Sequence, residues 1–312
     1  MDGGAMRTVF LGSGDIGLPA LRLLLALPGI EVVGVVTQPD RPSGRGLQLN
    51  SCAIKKLALA HGIAPLQPAR VRSAEAVEEI KSRMPDLFVV MAYGQILPPE
   101  LLAVPRLGAL NLHASLLPRH RGAAPVHAAV LAGENKSGVT VMWMDAGLDT
   151  GDILLSKECV LESGETAGTL HDRLADLAPE ALEEALLLIR AESAPRIPQD
   201  GTAATYAPKL SRAIGRLDWS RSAVELERMV RGLHPWPGCT AVLETAQGRR
   251  VEIKVHQAVV GPGPADPAQL HLPCGGGGVL QLLEVQPSGG KPMSKAEFVR
   301  GHQILRTVAT DL

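Results

Sequence analysis

The chain has 312 residues, 46% of them hydrophobic and 20% charged, which is enough to bury a sizeable core and to build two domains. No apolar run approaches the roughly 20 residues that span a bilayer, and the N-terminus lacks the basic-then-apolar pattern of an export signal; the expected compartment is the cytoplasm. Cys52, Cys159, Cys239 and Cys274 are far apart, with no CxxC pair or Cys/His cluster, which argues against zinc and against a disulfide framework.

In chain order, residues 7–12 read as a buried strand, 19–27 as an apolar-faced helix, 31–37 as a second strand and 50–61 as a second helix. A helix over 74–83 is followed by strands at 86–92, 107–113 and 138–144, then by a long helical pattern over 166–190. Such alternation predicts an α/β layer around a largely parallel sheet. Residues 191–211 are rich in Ala, Pro, Ser and Thr without periodicity, the texture of a linker. Beyond them come a helix at 223–232 and short runs at 240–245, 249–260, 268–273 and 278–286, punctuated by Gly and Pro. Short strands with frequent turns predict a small OB-like β-barrel. Residues 207–312 carry 13 Lys and Arg against 9 Asp and Glu, a balance of +4 within a chain of net charge −1. Mild basicity of this kind permits contact with a polyanion.

Residues 12–17, GSGDIG, match the glycine pattern of a dinucleotide fold between a strand and a helix, which alone suggests an NAD-dependent oxidoreductase. The pattern also needs an acid at the end of the next strand to hold the ribose. Here that strand ends in Thr37-Gln38-Pro39, so the turn reads as scaffold.

The chemistry concentrates further on. Asn111 and His113 lie two apart on a strand and share one face, while Leu110 and Leu112 take the other. They sit at the C-terminal end of their strand, where open α/β sheets place ligands. Downstream, residues 144–152 (MDAGLDTGD) supply Asp145, Asp149 and Asp152 beside two glycines. An amide donor, an imidazole and a carboxylate suit acyl transfer to an amine without a metal. Asn111 and protonated His113 would stabilise the tetrahedral oxyanion, and Asp149 would hold the His113 tautomer and assist proton transfer. Asp145 and Asp152 read as loop-shaping acids. Ser115 lacks a nucleophile elbow.

Asn-x-His-x-Ser-Leu-Leu-Pro, with Asp-x-Gly beginning 36 residues after the histidine, resembles the folate-dependent formyltransferases. The resemblance implies that Asn111, His113 and Asp149 are the catalytic set. It implies that 10-formyltetrahydrofolate is the co-substrate, contacted by Ser115, Leu116, Leu117 and Pro118 and by the loop of Ala92, Tyr93, Gly94, Gln95, Ile96 and Leu97. Residues 37–46, 92–98, 115–125, 138–154, 206–210 and 234–238 are similar to those members of the family that formylate initiator methionyl-tRNA. On that likeness residues 1–190 form a Rossmann-like, folate-binding catalytic domain, 191–206 a linker and 207–312 a tRNA-binding barrel. Arg45 would reach the tRNA acceptor end, and the enzyme would act as a monomer. An amino-sugar nucleotide as acceptor, or water in a formyl-folate hydrolase, are the alternatives.

Among the other residues, Arg119 and Arg121 flank the site loop, where they would pair with a folate carboxylate, an RNA phosphate or the acidic loop. His120, His127, His171, His234 and His256 read as surface or structural histidines. Trp236, between two prolines, reads as the fastener of a turn to the barrel, with stacking on a base as the alternative.

Overall fold

The apolar runs of the first 160 residues form one six-stranded sheet in the structure, a computed structural model that describes residues 4–43 and 48–308. Its strands are β1 (Met6–Gly12), β2 (Ile30–Val36), β5 (Leu87–Met91), β6 (Ala109–His113), β8 (Lys136–Trp143) and β9 (Ile153–Val160), in the order β2-β1-β5-β6-β8-β9. Between them lie a small hairpin, β3 (Arg41–Ser43) with β4 (Gln48–Asn50), and a two-residue strand β7 (Arg121–Gly122). Every residue of β5 is buried, and Val9, Phe10 and Leu11 of β1 are almost wholly so, as expected of strands covered on both faces. Burying each such large side chain is worth roughly 1.5–3 kcal/mol.

Helices α1 (Leu18–Ala26), α2 (Ala53–Ala60), α3 (Ala74–Lys81), the short α4 (Pro99–Leu102) and α5 (Pro125–Ala132) connect these strands. In α1 the proline falls in the first turn, where no backbone donor is lost, and Ala20, Leu21 and Leu24 form its buried stripe. Ser73 caps α3 by accepting a hydrogen bond from the Ala76 amide. In α6 (Ala167–Arg190), Leu170, Leu174, Ala178, Ala181, Ala185 and Ile189 recur at helical spacing and are buried.

The sheet is mixed rather than largely parallel: β2-β1, β1-β5 and β5-β6 pair parallel, but β6-β8 and β8-β9 pair antiparallel. Residues 144–152 join β8 to β9 as a hairpin connection, which enforces the antiparallel pair. Strand β9 escapes the sequence reading because Lys157 interrupts its apolar face. Lys157 turns out to be paired with Glu180 and Glu184 of α6. The expected helix over 50–61 is shorter, because Gln48–Asn50 belongs to β4.

The chain divides into two compact units, the first from residues 1–125, 136–160 and 171–207, the second from 126–135, 161–170 and 208–312. Residues 191–206, whose composition suggests a linker, belong to the first unit. Ile197 pairs with Ile153, the Trp143 indole donates to the Pro195 carbonyl, and β10 (Tyr206–Ala207) pairs parallel with β7. Composition hides this because the partners lie tens of residues away.

The second unit is an antiparallel barrel of β11 (Cys239–Thr245), β12 (Arg250–Val260), β13 (His271–Pro273), β14 (Val279–Pro287), β15 (Met293–Ser294) and β16 (Ile304–Thr307). The order is β13-β14-β12-β11-β16, and β13 and β16 at its two ends also touch, so the barrel is nearly closed. α7 (Ala223–Gly232) starts on a Ser222/Glu225 capping box and packs Leu226 and Val230 into a core with Leu243, Ile253, Leu280 and Phe298. The last of these lies on α8 (Lys295–Gly301), a helix not expected from the sequence. Trp236 is 51% exposed and so does not serve as a fastener. Backbone bonds from Gly238 to Leu233 and from Gly168 to His234 close that turn instead.

Candidate active site

Alternation along β6 buries Leu110 and Leu112 on one face and presents Asn111 and His113 on the other. The hairpin loop after β8 brings Asp149 to them. Asn111 Nδ2 donates to Asp149 Oδ1 at 3.3 Å, and His113 Nδ1 lies 3.7 Å from Asp149 Oδ2. The Gly122 amide donates to Oδ2 at 2.8 Å, so both carboxylate oxygens are engaged. Three residues separated by up to 38 positions therefore form one cluster, with the His113 and Asp149 side chains only 6% and 12% exposed.

His113 Nε2 lies 3.0 Å from the His120 carbonyl oxygen. A carbonyl only accepts, so Nε2 carries a proton, and Nδ1 is the nitrogen that faces Asp149. The sequence reading assigned tautomer control to Asp149; the geometry assigns it to His120. The His120 carbonyl is held in turn, because the His120 amide donates to Thr205 Oγ1 at 2.8 Å and the Arg121 amide to the Thr205 carbonyl at 2.9 Å.

The acidic loop is sorted by its bonds. Asp145 accepts from the Gly147 amide and the Thr150 hydroxyl, the loop-shaping role its position suggested. A Cβ on Gly151 would meet the Trp143 carbonyl oxygen, which is why the turn needs glycine there. The half-buried Arg121 is engaged by an amide: its Nε and Nη2 donate to Gln199 Oε1 at 3.1 and 2.7 Å. Gln199 Nε2 then donates to the carbonyls of Asp149 and Gly151. Gln199, His120, Gly122 and Thr205 are contributors that sequence reasoning missed, and only the turn chemistry around Gly122 carried any local signal.

Residues 115–118 form a turn beside the cluster. Ser115 is buried, and its hydroxyl donates to the Arg119 carbonyl at 2.7 Å, which occupies the group a nucleophile would need. Thr140 on β8 ties the turn down, donating to the Ser115 carbonyl and accepting from the Leu117 amide. Leu116 and Pro118 are half-buried and Leu117 is buried.

The loop 92–97 leaves the end of β5, whose Val90 pairs with Asn111, so it borders the same edge of the sheet. Not all of it is available to a ligand. Tyr93 and Leu97 point into the core, and burial pushes the Tyr93 phenol up to about 12. Ala92 and Gly94 adopt positive φ with exposed surfaces, Gln95 accepts from the Val71 amide at 2.8 Å, and Ile96 is 77% exposed. Gln95 and Ile96 line a cleft of about 320 Å³ together with Arg70 and Arg72.

The glycine-rich turn is scaffold. The Ser13 and Gly14 amides both donate to the Ala92 carbonyl, at 3.1 and 3.2 Å, so the donors a pyrophosphate would need are spent on the neighbouring loop. Arg45 lies outside the described residues. Among the described residues, no group of three or more His, Cys, Asp or Glu is placed to hold a metal, and no helix is long and apolar enough to cross a membrane.

Comparison with known proteins identifies the family. Residues 6–186 match the formyl transferase family and residues 209–303 match the formyl transferase C-terminal domain, and the chain belongs to the formyl transferase family. Its relatives include the methionyl-tRNA formyltransferase of Pseudomonas paraeruginosa (strain DSM 24068 / PA7), 47% identical over 94% of this chain and 95% of that protein. The methionyl-tRNA formyltransferase of Alkaliphilus oremlandii (strain OhILAs) is 39% identical over 96% and 97%. Among solved structures, the N-formyltransferase of Helicobacter canadensis, in complex with folinic acid and dTDP-3-aminofucose, covers 89% of this chain and 98% of its own. Its TM-score is 0.65 at 15% identity, a likeness of fold.

Proposed function

We propose that the protein transfers the formyl group of 10-formyltetrahydrofolate to the α-amino group of initiator methionyl-tRNA, as a cytoplasmic monomer. The observation that carries this reading is the convergence of Asn111, His113 and Asp149 at the C-terminal edge of the sheet, between the 92–97 loop and the 115–118 turn. Near-full-length kinship with methionyl-tRNA formyltransferases supports the choice of acceptor.

The folate seats its ring against the backbone of 92–97 and its linker against 115–118. Its glutamate carboxylates extend toward Arg70 and Arg72, which line the adjoining cleft while Arg121 is held by Gln199. The methionyl amine attacks the formyl carbon, forming a C–N bond and a tetrahedral adduct with a negative oxygen and a positive nitrogen. The Asn111 amide has two N–H groups; one engages Asp149 and the other donates to the oxyanion. His113 Nδ1 accepts the proton from the ammonium nitrogen while Asp149 balances the imidazolium, and the proton passes on to folate N10. The C–N10 bond then breaks, the oxyanion collapses to a formamide, and tetrahydrofolate leaves with its N10–H. The barrel unit, with its excess of basic residues, and the loop carrying Arg45 bind the tRNA.

The test offers the purified protein 10-formyltetrahydrofolate with charged initiator tRNA, with an amino-sugar nucleotide, or with water alone. A formyl group on the methionyl amine is the expected product. Formylation of the sugar with untouched tRNA, or release of free formate alone, overturns the reading.

A further inference from the structure

We infer that Gln199 is a positioning residue for the transfer: its side-chain amide locks the Asp149 loop onto the 121–122 strand and so sets the carboxylate's distance from His113. The inference rests on the reading of Asp149 and His113 as reacting groups.

Asp149 needs such a lock. Its φ is +53°, a left-handed conformation that a residue with a side chain keeps only when its surroundings hold it there. Gln199 supplies the hold. Its Nε2 carries two N–H groups and meets the carbonyls on either side of Thr150, that of Asp149 at 3.0 Å and that of Gly151 at 2.7 Å. Its Oε1 accepts the fork of Arg121, from Nε at 3.1 Å and from Nη2 at 2.7 Å. The next residue, Gly122, donates its amide to the Asp149 carboxylate at 2.8 Å.

A ring therefore closes. Arg121 fixes the Asp149 backbone through Gln199, and Gly122 fixes the Asp149 side chain directly. Both anchors are consecutive residues of β7, so the backbone and the carboxylate of Asp149 are referred to one dipeptide. Gln199 is itself immobilised by its own segment. The Trp143 indole donates to the Pro195 carbonyl at 2.9 Å, Arg196 lies 4.2 Å over the Trp143 ring, and Ile197 exchanges backbone bonds with Ile153. The same strap reaches Thr205, which holds the His120 backbone and with it the carbonyl on His113 Nε2. Residues 195–205 thus govern both partners of the histidine.

Only an amide at position 199 serves both sides of the ring. A carboxylate keeps the Arg121 fork but has no proton for the two carbonyls, and alanine keeps neither. Gln199→Glu and Gln199→Ala are each expected to lower kcat on the order of 10- to 100-fold, the scale of a misplaced reacting group. The KM values for folate and tRNA should stay within about twofold, since the lost interaction belongs to the transition state. A merely structural residue would add its effect to any background. Gln199→Ala made on Asp149→Asn should instead change kcat by less than about twofold, because the group it positions is already lost.

Wild-type kcat in Gln199→Ala or Gln199→Glu, or an undiminished loss in the Asp149→Asn background, overturns the inference. Gln199→Glu preserves side-chain size and the Arg121 contact, and its melting curve reports folding separately from kcat. Should the wild-type protein formylate some other acceptor, the acceptor reading falls. The same cycle run on that acceptor still returns one of the two results.

Discussion

Asp149→Asn separates charge from shape at the centre of the site. The side chain keeps its size, but an amide has one oxygen where the carboxylate has two. In the structure those two oxygens accept from Asn111 Nδ2 at 3.3 Å and from the Gly122 amide at 2.8 Å. One of these donors must face an NH2 group in the variant, and leaving a buried donor unmatched costs about 1–3 kcal/mol of stability. The larger effect is on the reaction. His113 Nδ1 stands 3.7 Å from the carboxylate, with both side chains well covered. At an effective dielectric of about 20, a charge pair at that distance is worth about 4 kcal/mol. That stabilisation exists only while the imidazole is protonated, midway through transfer. Converted at about 1.4 kcal/mol per decade, the variant should lose on the order of a thousandfold in kcat. KM for both substrates should change little, and the melting midpoint should fall by a few degrees. Steady-state formylation with each substrate varied in turn measures all of this except the melting. A kcat within tenfold of wild type would refute the assignment of Asp149 as the counter-charge.

The double variant Arg70→Ala, Arg72→Ala should raise KM for the folate substrate while leaving kcat and the tRNA KM near wild type; an unchanged folate KM would remove the cleft from the binding path. Arg45→Ala should weaken use of tRNA and spare folate binding, and unchanged tRNA kinetics would show that the loop does not touch the acceptor. Gly122 has φ +116°, and a Cβ there would sit 2.6 Å from the Ala207 carbonyl oxygen and 2.8 Å from the Tyr206 ring. Gly122→Ala should therefore strain β7 by about 1–3 kcal/mol, lower the melting midpoint and depress kcat more than KM. A variant with wild-type melting and turnover would contradict that geometry.

What was legible in the sequence follows from the range over which each signal acts. The strand face shared by Asn111 and His113 is a local alternation, readable from four residues. Asp145 and Asp152 read as loop-shaping acids beside glycines, which singles out Asp149, and the structure supplies a physical reason for setting Asp145 aside, since its oxygens are taken by Gly147 and Thr150. The source of the His113 tautomer was not legible, because the turn that returns the His120 carbonyl to the histidine has no periodic signature. Gln199 was hidden more deeply: it sits in an Ala- and Pro-rich stretch, and its partners are up to 78 residues away. In the 92–97 loop, motif matching selects all six residues, whereas burial turns Tyr93 and Leu97 inward, the Gln95 side chain is tied to the Val71 amide and the Pro68 carbonyl, and backbone and Ile96 are what stays exposed. The glycine turn misleads in the opposite sense. Its pattern is that of a phosphate site, but its amides are committed to Ala92.

The central claim is that this site delivers a folate-borne formyl group to the methionyl amine of initiator tRNA. The most direct measurement is a competition in one tube: 10-formyltetrahydrofolate labelled in the formyl carbon, with charged initiator tRNA and an amino-sugar nucleotide at equal concentrations. The predicted result is label recovered as N-formylmethionine after the tRNA ester is hydrolysed, and its loss in His113→Ala. Label recovered in the sugar or as free formate, or wild-type labelling in His113→Ala, would contradict the account.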